Sequence, residues 1–346
     1  MKLYMAPMEG LTGYVYRGTY HRHFGGADRY FTPFITNKKL NHREINDIMP
    51  EHNTGMDVVP QILTNRAEDF LCITKELRQY GYCAVNLNLG CPSGTVVAKN
   101  RGAGFLALPD ELDRFLGEIF DASPLDISIK TRIGKESPAE WECLLSIYEK
   151  YPLKELIIHP RVQRDFYKNK VNLEAFALGA ERSGHPLCYN GDICTVDDYL
   201  RIKERFPGVQ RVMLGRGLLR DPGLLGAIRR AERLKSDEAR DAAGDGSAWD
   251  GAGAVSGVSA SLSCGGARQK ERLRAFHDDL LHGYVGVMSG DKPVLFKMKE
   301  LWVYLAGGFT EPEKYIKKIR KTEHIREYVT YVDALFREQE WMGHRS

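Results

Sequence analysis

Several absences narrow the reading of this 346-residue chain before any motif is considered. Its seven cysteines (72, 83, 91, 143, 188, 194 and 264) make an odd number with no C-x-x-C pair. That argues against a disulfide framework and for reduced thiols in a cytoplasmic protein. No apolar run approaches the ~20 residues that span a bilayer, so no membrane partner is expected. The opening Met-Lys-Leu-Tyr-Met-Ala-Pro is broken by Pro7 too early for a signal peptide. Charge of one sign is also scarce: 49 Lys plus Arg against 46 Asp plus Glu leave a net +3. This balance permits a nucleic-acid partner without requiring one. The first strand-like run is not followed by G-x-G-x-x-G, which argues against an open dinucleotide-binding sheet. No metal site is expected.

What the chain does have is a recurring unit. Apolar or β-branched runs occur at Leu3–Met5, Tyr30–Ile35, Val58–Leu63, Cys83–Leu89, Ile127–Thr131, Leu156–His159, Leu187–Tyr189 and Val212–Leu214. Helix-like segments such as Ala67–Tyr80, Pro109–Phe120, Pro138–Tyr151, Leu173–Ala180 and Thr195–Phe206 lie between them. Eight βα units predict an α/β fold, a (β/α)8 TIM barrel over residues 1–232. From about Ser236 the chain turns to Gly, Ala, Ser and Asp, with Trp249 the only aromatic residue as far as Ala267. Residues 233–267 are therefore expected to form a flexible linker or insertion. Helical periodicity returns in Arg268–Gly283, Lys292–Leu305 and Glu311–Gln339, predicting a small all-helical C-terminal domain over 268–346.

The informative motifs fall at the C-terminal ends of the expected strands, the face on which barrels carry chemistry. They are Pro7-Met8-Glu9 after the first, Gln61 on the third, and Asn88 with Cys91 at the end of the fourth. Lys130 and Arg132 end the fifth, and His159 with Arg161 the sixth. Asn190-Gly191-Asp192 follows the seventh, and Gly215-Arg216 the eighth. Each has a bland alternative taken singly. Cys91 could be a buried thiol acting as a small hydrophobe, His159 a core histidine, and Asn190-Gly191-Asp192 a tight turn. Their common register is harder to dismiss. Glycines after the last two strands, with a short helix beyond Gly217, suit a phosphate-bearing cofactor such as FMN. Lys130 and His159 would face that cofactor, and Gln61 and Asn88 could meet the amide edge of its ring.

Ala6-Pro7-Met8 with Gly10, Asn88-Leu-Gly-Cys-Pro92, Lys130 with Arg132, His159 with Arg161, Asn190-Gly-Asp192 and Gly215-Arg-Gly217 together resemble the tRNA-dihydrouridine synthases. The resemblance runs in order over roughly residues 1–230, with a weaker echo in Lys299-Glu300 and Trp302–Tyr304. It implies an FMN-dependent barrel with a helical RNA-binding domain, acting on tRNA without an obligate protein partner. In that reaction NADPH reduces the flavin, hydride passes to C6 of an extruded uracil, and Cys91 as a thiol protonates C5. It places Pro7, Met8, Glu9, Gln61, Asn88, Lys130, His159, Asn190, Gly191, Asp192, Gly215 and Arg216 at the cofactor. Arg132, Arg161 and Lys299 are expected at the RNA. So are Lys314, Lys317, Lys318 and Lys321, whose spacing sets them on one helix face. Two departures stand out. The family often has an aspartate where this chain has Gly13, which puts a local hydrogen bond there in doubt. The 236–267 stretch also looks inserted. The nearest rival is another FMN barrel oxidoreductase acting on a free small molecule, dihydroorotate dehydrogenase-like. An RNA-binding barrel without activity and a non-redox phosphate-binding barrel are further alternatives.

Overall fold

A computed structural model describes residues 1–243 and 258–343. Eight strands form a closed, all-parallel barrel: β1 Lys2–Met5, β2 Arg29–Ile35, β3 Val58–Ile62, β4 Ala84–Leu89, β5 Asp126–Arg132, β6 Leu156–His159, β7 Leu187–Tyr189 and β8 Arg211–Leu214. Every boundary lies within one residue of the expected run. Closure is made by β1 on β8, with Lys2 opposite Arg211 and Met5 opposite Leu214. Tyr4, Phe31, Val59, Ile157, Cys188 and Met213 pack together in one buried cluster. Strands this apolar are what a parallel sheet covered on both faces requires.

The barrel helices are α1 Tyr14–His23, α2 His42–Ile48, α3 Ala67–Gln79, the short α4 Gly94–Val97, α5 Pro109–Ala122, α6 Trp141–Tyr148, α7 Leu173–Arg182 and α8 Val196–Arg205. In α5, Pro109 occupies the first turn, where its missing N–H costs nothing, and Leu112, Phe115, Leu116 and Ile119 form the buried stripe. The Gly13 question is resolved from a distance. Asp47 Oδ1 on α2 accepts the Tyr14 N–H at 2.7 Å, doing for the start of α1 what a residue-13 side chain could have done. Asp47 is held in turn by the buried Arg17, which also bonds the Asn53 side chain at 3.0 Å.

After the barrel come α9 Arg216–Arg220, α10 Leu224–Ala243, α11 Val258–Val287, α12 Asp291–Leu305, α13 Glu313–Lys321 and α14 Ile325–Glu338. Helix thus reaches into both ends of the expected 233–267 linker, whose middle, 244–257, lies outside the described residues. The chain divides into two compact units. One comprises Met1–Gly18, Ala27–Ile193 and Arg201–Gly215; the other comprises Thr19–Gly26, Cys194–Leu200 and Arg216–Ser346. The helical unit has its own core. There the buried His277 meets Tyr328 Oη at 2.6 Å, and Trp302 Nε1 donates to the same oxygen at 2.7 Å.

Candidate active site

The C-terminal strand ends of the barrel surround a cavity of about 330 Å³. Pro7, Met8 and Glu9 enter from the β1 loop, and Gln61 from β3. Asn88 and Cys91 enter from the end of β4, Lys130 and Arg132 from β5, and His159 from β6. Three aromatic residues that strand-end reasoning missed also line it: Phe34 on β2, and Phe166 and Tyr167 in the loop after β6. A larger cavity lies around Leu187, Phe206 and Arg211, at the opposite ends of β7 and β8, and gathers no comparable set of groups.

A buried amide relay runs beneath the mouth. Ser128 Oγ donates to Val85 O at 3.2 Å and accepts from Asn86 Nδ2 at 2.9 Å. Gln61 Nε2 donates to Asn86 Oδ1 at 2.8 Å, and Asn88 Nδ2 to Gln61 Oε1 at 2.7 Å. Asn88 Oδ1 then accepts the N–H groups of Gly90 (3.0 Å) and Cys91 (2.9 Å). The carbonyl oxygens of Gln61 and Asn88 are therefore engaged inside the protein, and each amide retains one further N–H. The Cys91 loop is fixed from the other side at Gly102, where the N–H of the next residue, Ala103, bonds Cys91 O at 3.1 Å. At φ +55° Gly102 has no room for a side chain: a Cβ there would stand 2.9 Å from Cys91 O. Burial pushes the Cys91 thiol above its ordinary value, with the Glu9 carboxylate adding to the shift. Glu9 is itself ion-paired to Arg43.

Lys130 stands in the mouth with no carboxylate partner among the described residues. Burial first, and the Arg132 guanidinium second, push its ammonium down to about 8. His159 is buried, and Arg161 Nη1 lies 3.0 Å from its Nε2. An arginine can only donate, so Nε2 accepts and the imidazole proton sits on Nδ1.

The structure corrects the expected role of both arginines. Arg132 donates from Nε to Gly90 O (3.0 Å), from Nη1 to Val162 O (2.9 Å) and from Nη2 to Phe166 O (2.9 Å). Arg161 donates to Asn169 O at 2.7 Å and forms an ion pair with Asp192. Both are almost wholly buried, with their donors turned to the protein. Asn190 Nδ2 donates to Met213 O at 2.8 Å, across to β8. Gly191 is forced: a Cβ would fall 2.0 Å from Tyr189 Oη. A Cβ at Gly215 would meet Ala6 Cβ and Met8 Sδ at 3.4 Å. Arg216 opens α9, so that helix begins before Gly217, not beyond it. In the helical unit, Lys299 is half-buried and donates to Thr322 O just past α13. Lys314, Lys317, Lys318 and Lys321 share the exposed face of α13, opposite the buried Tyr315, Ile316 and Ile319. Lys314 pairs with Glu338 at 3.6 Å, and Lys318 lies over the Tyr331 ring at 5.3 Å.

The family model for dihydrouridine synthase matches residues 4–245, well over half of the chain. The chain belongs to the dihydrouridine synthase family. It is 32% identical over 235 residues to the tRNA-dihydrouridine(16) synthase of Pseudomonas putida, covering 65% of this chain and 72% of that one. Against the tRNA-dihydrouridine(16) synthase of Aquipseudomonas alcaligenes the identity is also 32%, over 253 residues, covering 67% and 77%. Among solved structures, histamine dehydrogenase from Rhizobium sp. 4-9 superposes with a TM-score of 0.50 at 12% identity, covering 68% of this chain and 46% of that one. That likeness establishes the barrel fold alone. Membership in the family makes the chain a flavin-dependent oxidoreductase that forms dihydrouridine in tRNA.

Proposed function

We propose that this family member reduces the C5–C6 bond of a tRNA uridine, with FMN as the resident cofactor, NADPH as the reductant and Cys91 as the proton donor. The observation that carries this reading is one barrel mouth lined by a thiol on a backbone-clamped loop and by the Lys130 ammonium, which has no carboxylate partner among the described residues. The mouth suits an electron-rich planar ring. Lys130 has no carboxylate partner among the described residues, Gln61 and Asn88 each offer an N–H, and Pro7 and Met8 give an apolar wall. When bound, a reduced flavin supplies the hydride that saturates C6.

The chain's own residues account for the rest. Burial keeps the Cys91 Sγ proton in place at neutral pH, as an acid requires and a nucleophile would not. Asn88 and Gly102 fix the direction of the thiol. Arg132 holds the loops around it, and Arg161 holds His159 through its Nε2. Asn190, Gly191, Asp192, Gly215 and Arg216 are assigned to the cofactor's phosphate arm. The α13 lysines are assigned to phosphates of the tRNA, within a helical RNA-binding part over 268–346. No helix among the described residues is long and apolar enough to cross a membrane. Because both relatives above bear position 16 in their names, U16 is the first uridine to examine.

The decisive experiment is incubation of the purified, yellow protein with unmodified tRNA and NADPH, followed by mapping of dihydrouridine. Cys91→Ala should retain flavin absorbance and lose most of the product. Normal product yield from that variant would refute the acid assignment.

A further inference from the structure

Phe166 is one of two non-glycine residues in the described chain with positive φ, at φ +48° and ψ −98°. Lys168 N–H bonds Asp165 O at 2.9 Å, closing a turn in which Phe166 takes the first central position. These angles lie near those of a type II′ turn, about +60° and −120°, where glycine is strongly preferred. A bulky aromatic residue in that conformation is strained, and such strain persists only where surrounding bonds enforce it.

The enforcing bonds are on the two arginines that face away from solvent. Arg132 holds Val162 O and Phe166 O, and Arg161 holds Asn169 O, so the loop is gripped at its start, centre and end. Gln163 Nε2 donates to Pro92 O at 3.0 Å, tying this loop to the one that carries Cys91. Phe166 is thereby fixed relative to the thiol. Burial does not offset the strain, because its side chain remains 44% exposed at the cavity mouth. Tyr167 beside it is occupied, lying under the Arg132 guanidinium at 5.5 Å and stacked with His159 at 6.1 Å. Phe166 has no ring partner among the described residues.

We infer that Phe166 is a substrate-positioning residue whose ring stacks on the base next to the extruded uridine. The inference rests on the proposed action on tRNA. A uracil that leaves the stack to enter the cavity deprives its neighbour of a stacking face. The strand-end groups Gln61, Asn88, Lys130 and His159 line the cavity beside Pro7, Met8 and Phe34, whereas Phe166 is an exposed apolar ring, 44% accessible, on the loop that borders it, where the neighbouring nucleotide must lie. Ring-on-base stacking tolerates any base, so this contact would position the strand without selecting its sequence.

The test compares Phe166→Gly and Phe166→Trp with the native chain. Phe166→Gly should fold at least as well, because the turn favours glycine, and should keep its flavin absorbance. It should bind tRNA about tenfold more weakly in a fluorescence titration and raise KM for tRNA by a similar factor, with kcat little changed. Phe166→Trp should restore both. Unchanged tRNA binding and KM in Phe166→Gly would overturn the inference, as would a lower melting temperature with loss of flavin, the signature of a packing residue. The titration needs no turnover. If the native chain forms no dihydrouridine while Phe166→Gly still weakens tRNA binding, the proposed activity fails and this contact stands.

Discussion

Replacing Gln61 by leucine removes the centre of the amide relay at nearly constant volume. Two hydrogen bonds disappear, at 2.8 and 2.7 Å, leaving Asn86 Oδ1 and one N–H of Asn88 without partners. Gln61 and Asn86 are wholly buried and Asn88 nearly so, so water cannot replace what is lost. Each orphaned buried group costs about 1–3 kcal/mol. After a modest offset from the apolar leucine, Gln61→Leu should lower stability by about 2–5 kcal/mol, out of a total typically near 5–15. Urea unfolding of the flavin-free protein measures this as a lower midpoint at unchanged slope. The double variant Gln61→Leu with Asn86→Leu should cost less than the sum of the singles, because it removes one orphan along with its former partner. The catalytic consequence follows from Asn88, whose Oδ1 orients the Cys91 N–H. With Asn88 free to turn, kcat for dihydrouridine formation should fall about tenfold while the thiol itself is intact. A loss below about 1 kcal/mol, or strictly additive singles, would show that the relay is not a connected unit.

Two further outcomes follow from charge. Lys130 titrates near 8 in the folded chain, below the usual lysine value near 10.5, so between those pH values the unfolded chain binds more protons. Stability of the flavin-free protein should therefore rise as pH goes from about 8 to 10.5, and Lys130→Met should abolish that rise; melting temperatures with equal pH slopes in both proteins would refute the burial argument. Replacing Lys314, Lys317 and Lys318 together by glutamate should weaken tRNA binding and reduce the salt slope by about 0.7–0.9 per lost phosphate contact, whereas an unchanged slope would mean that the face is only solvated.

The barrel was legible because buried parallel strands are written as short apolar runs ended by Gly, Pro or a polar group. The side chains lining the mouth were legible for a related reason. His159 closes its run, Lys130 stands near the end of its own and Cys91 just past the end of its own, and position along a parallel strand fixes which end of the barrel a residue reaches. What a side chain bonds to was not legible. A basic residue at a strand end looks the same whether it meets a phosphate in solvent or three carbonyls in the protein. The partners of Arg132 lie in loops as far away as Phe166, and nothing local announces them. Phe166 escaped notice for the opposite reason. A glycine there would have signalled a turn, and phenylalanine conceals it.

The two arginines also connect the parts of the mouth that strand-end reasoning treats separately. A guanidinium has five donors in a rigid fork, suited to gripping several carbonyls at once, which an ammonium cannot do. Arg132 uses that geometry to join the Gly90 carbonyl, beside Cys91, to the loop of Phe166. Its charge acts on a second target, since it helps to lower the Lys130 ammonium. Lysine at position 132 would conserve the charge and so leave Lys130 depressed, yet it would release the carbonyls and let the Phe166 turn relax. Alanine would do both at once. Substitution by lysine therefore separates the mechanical role of Arg132 from its electrostatic one, and only the mechanical role predicts a loss of tRNA affinity with the Lys130 titration unmoved.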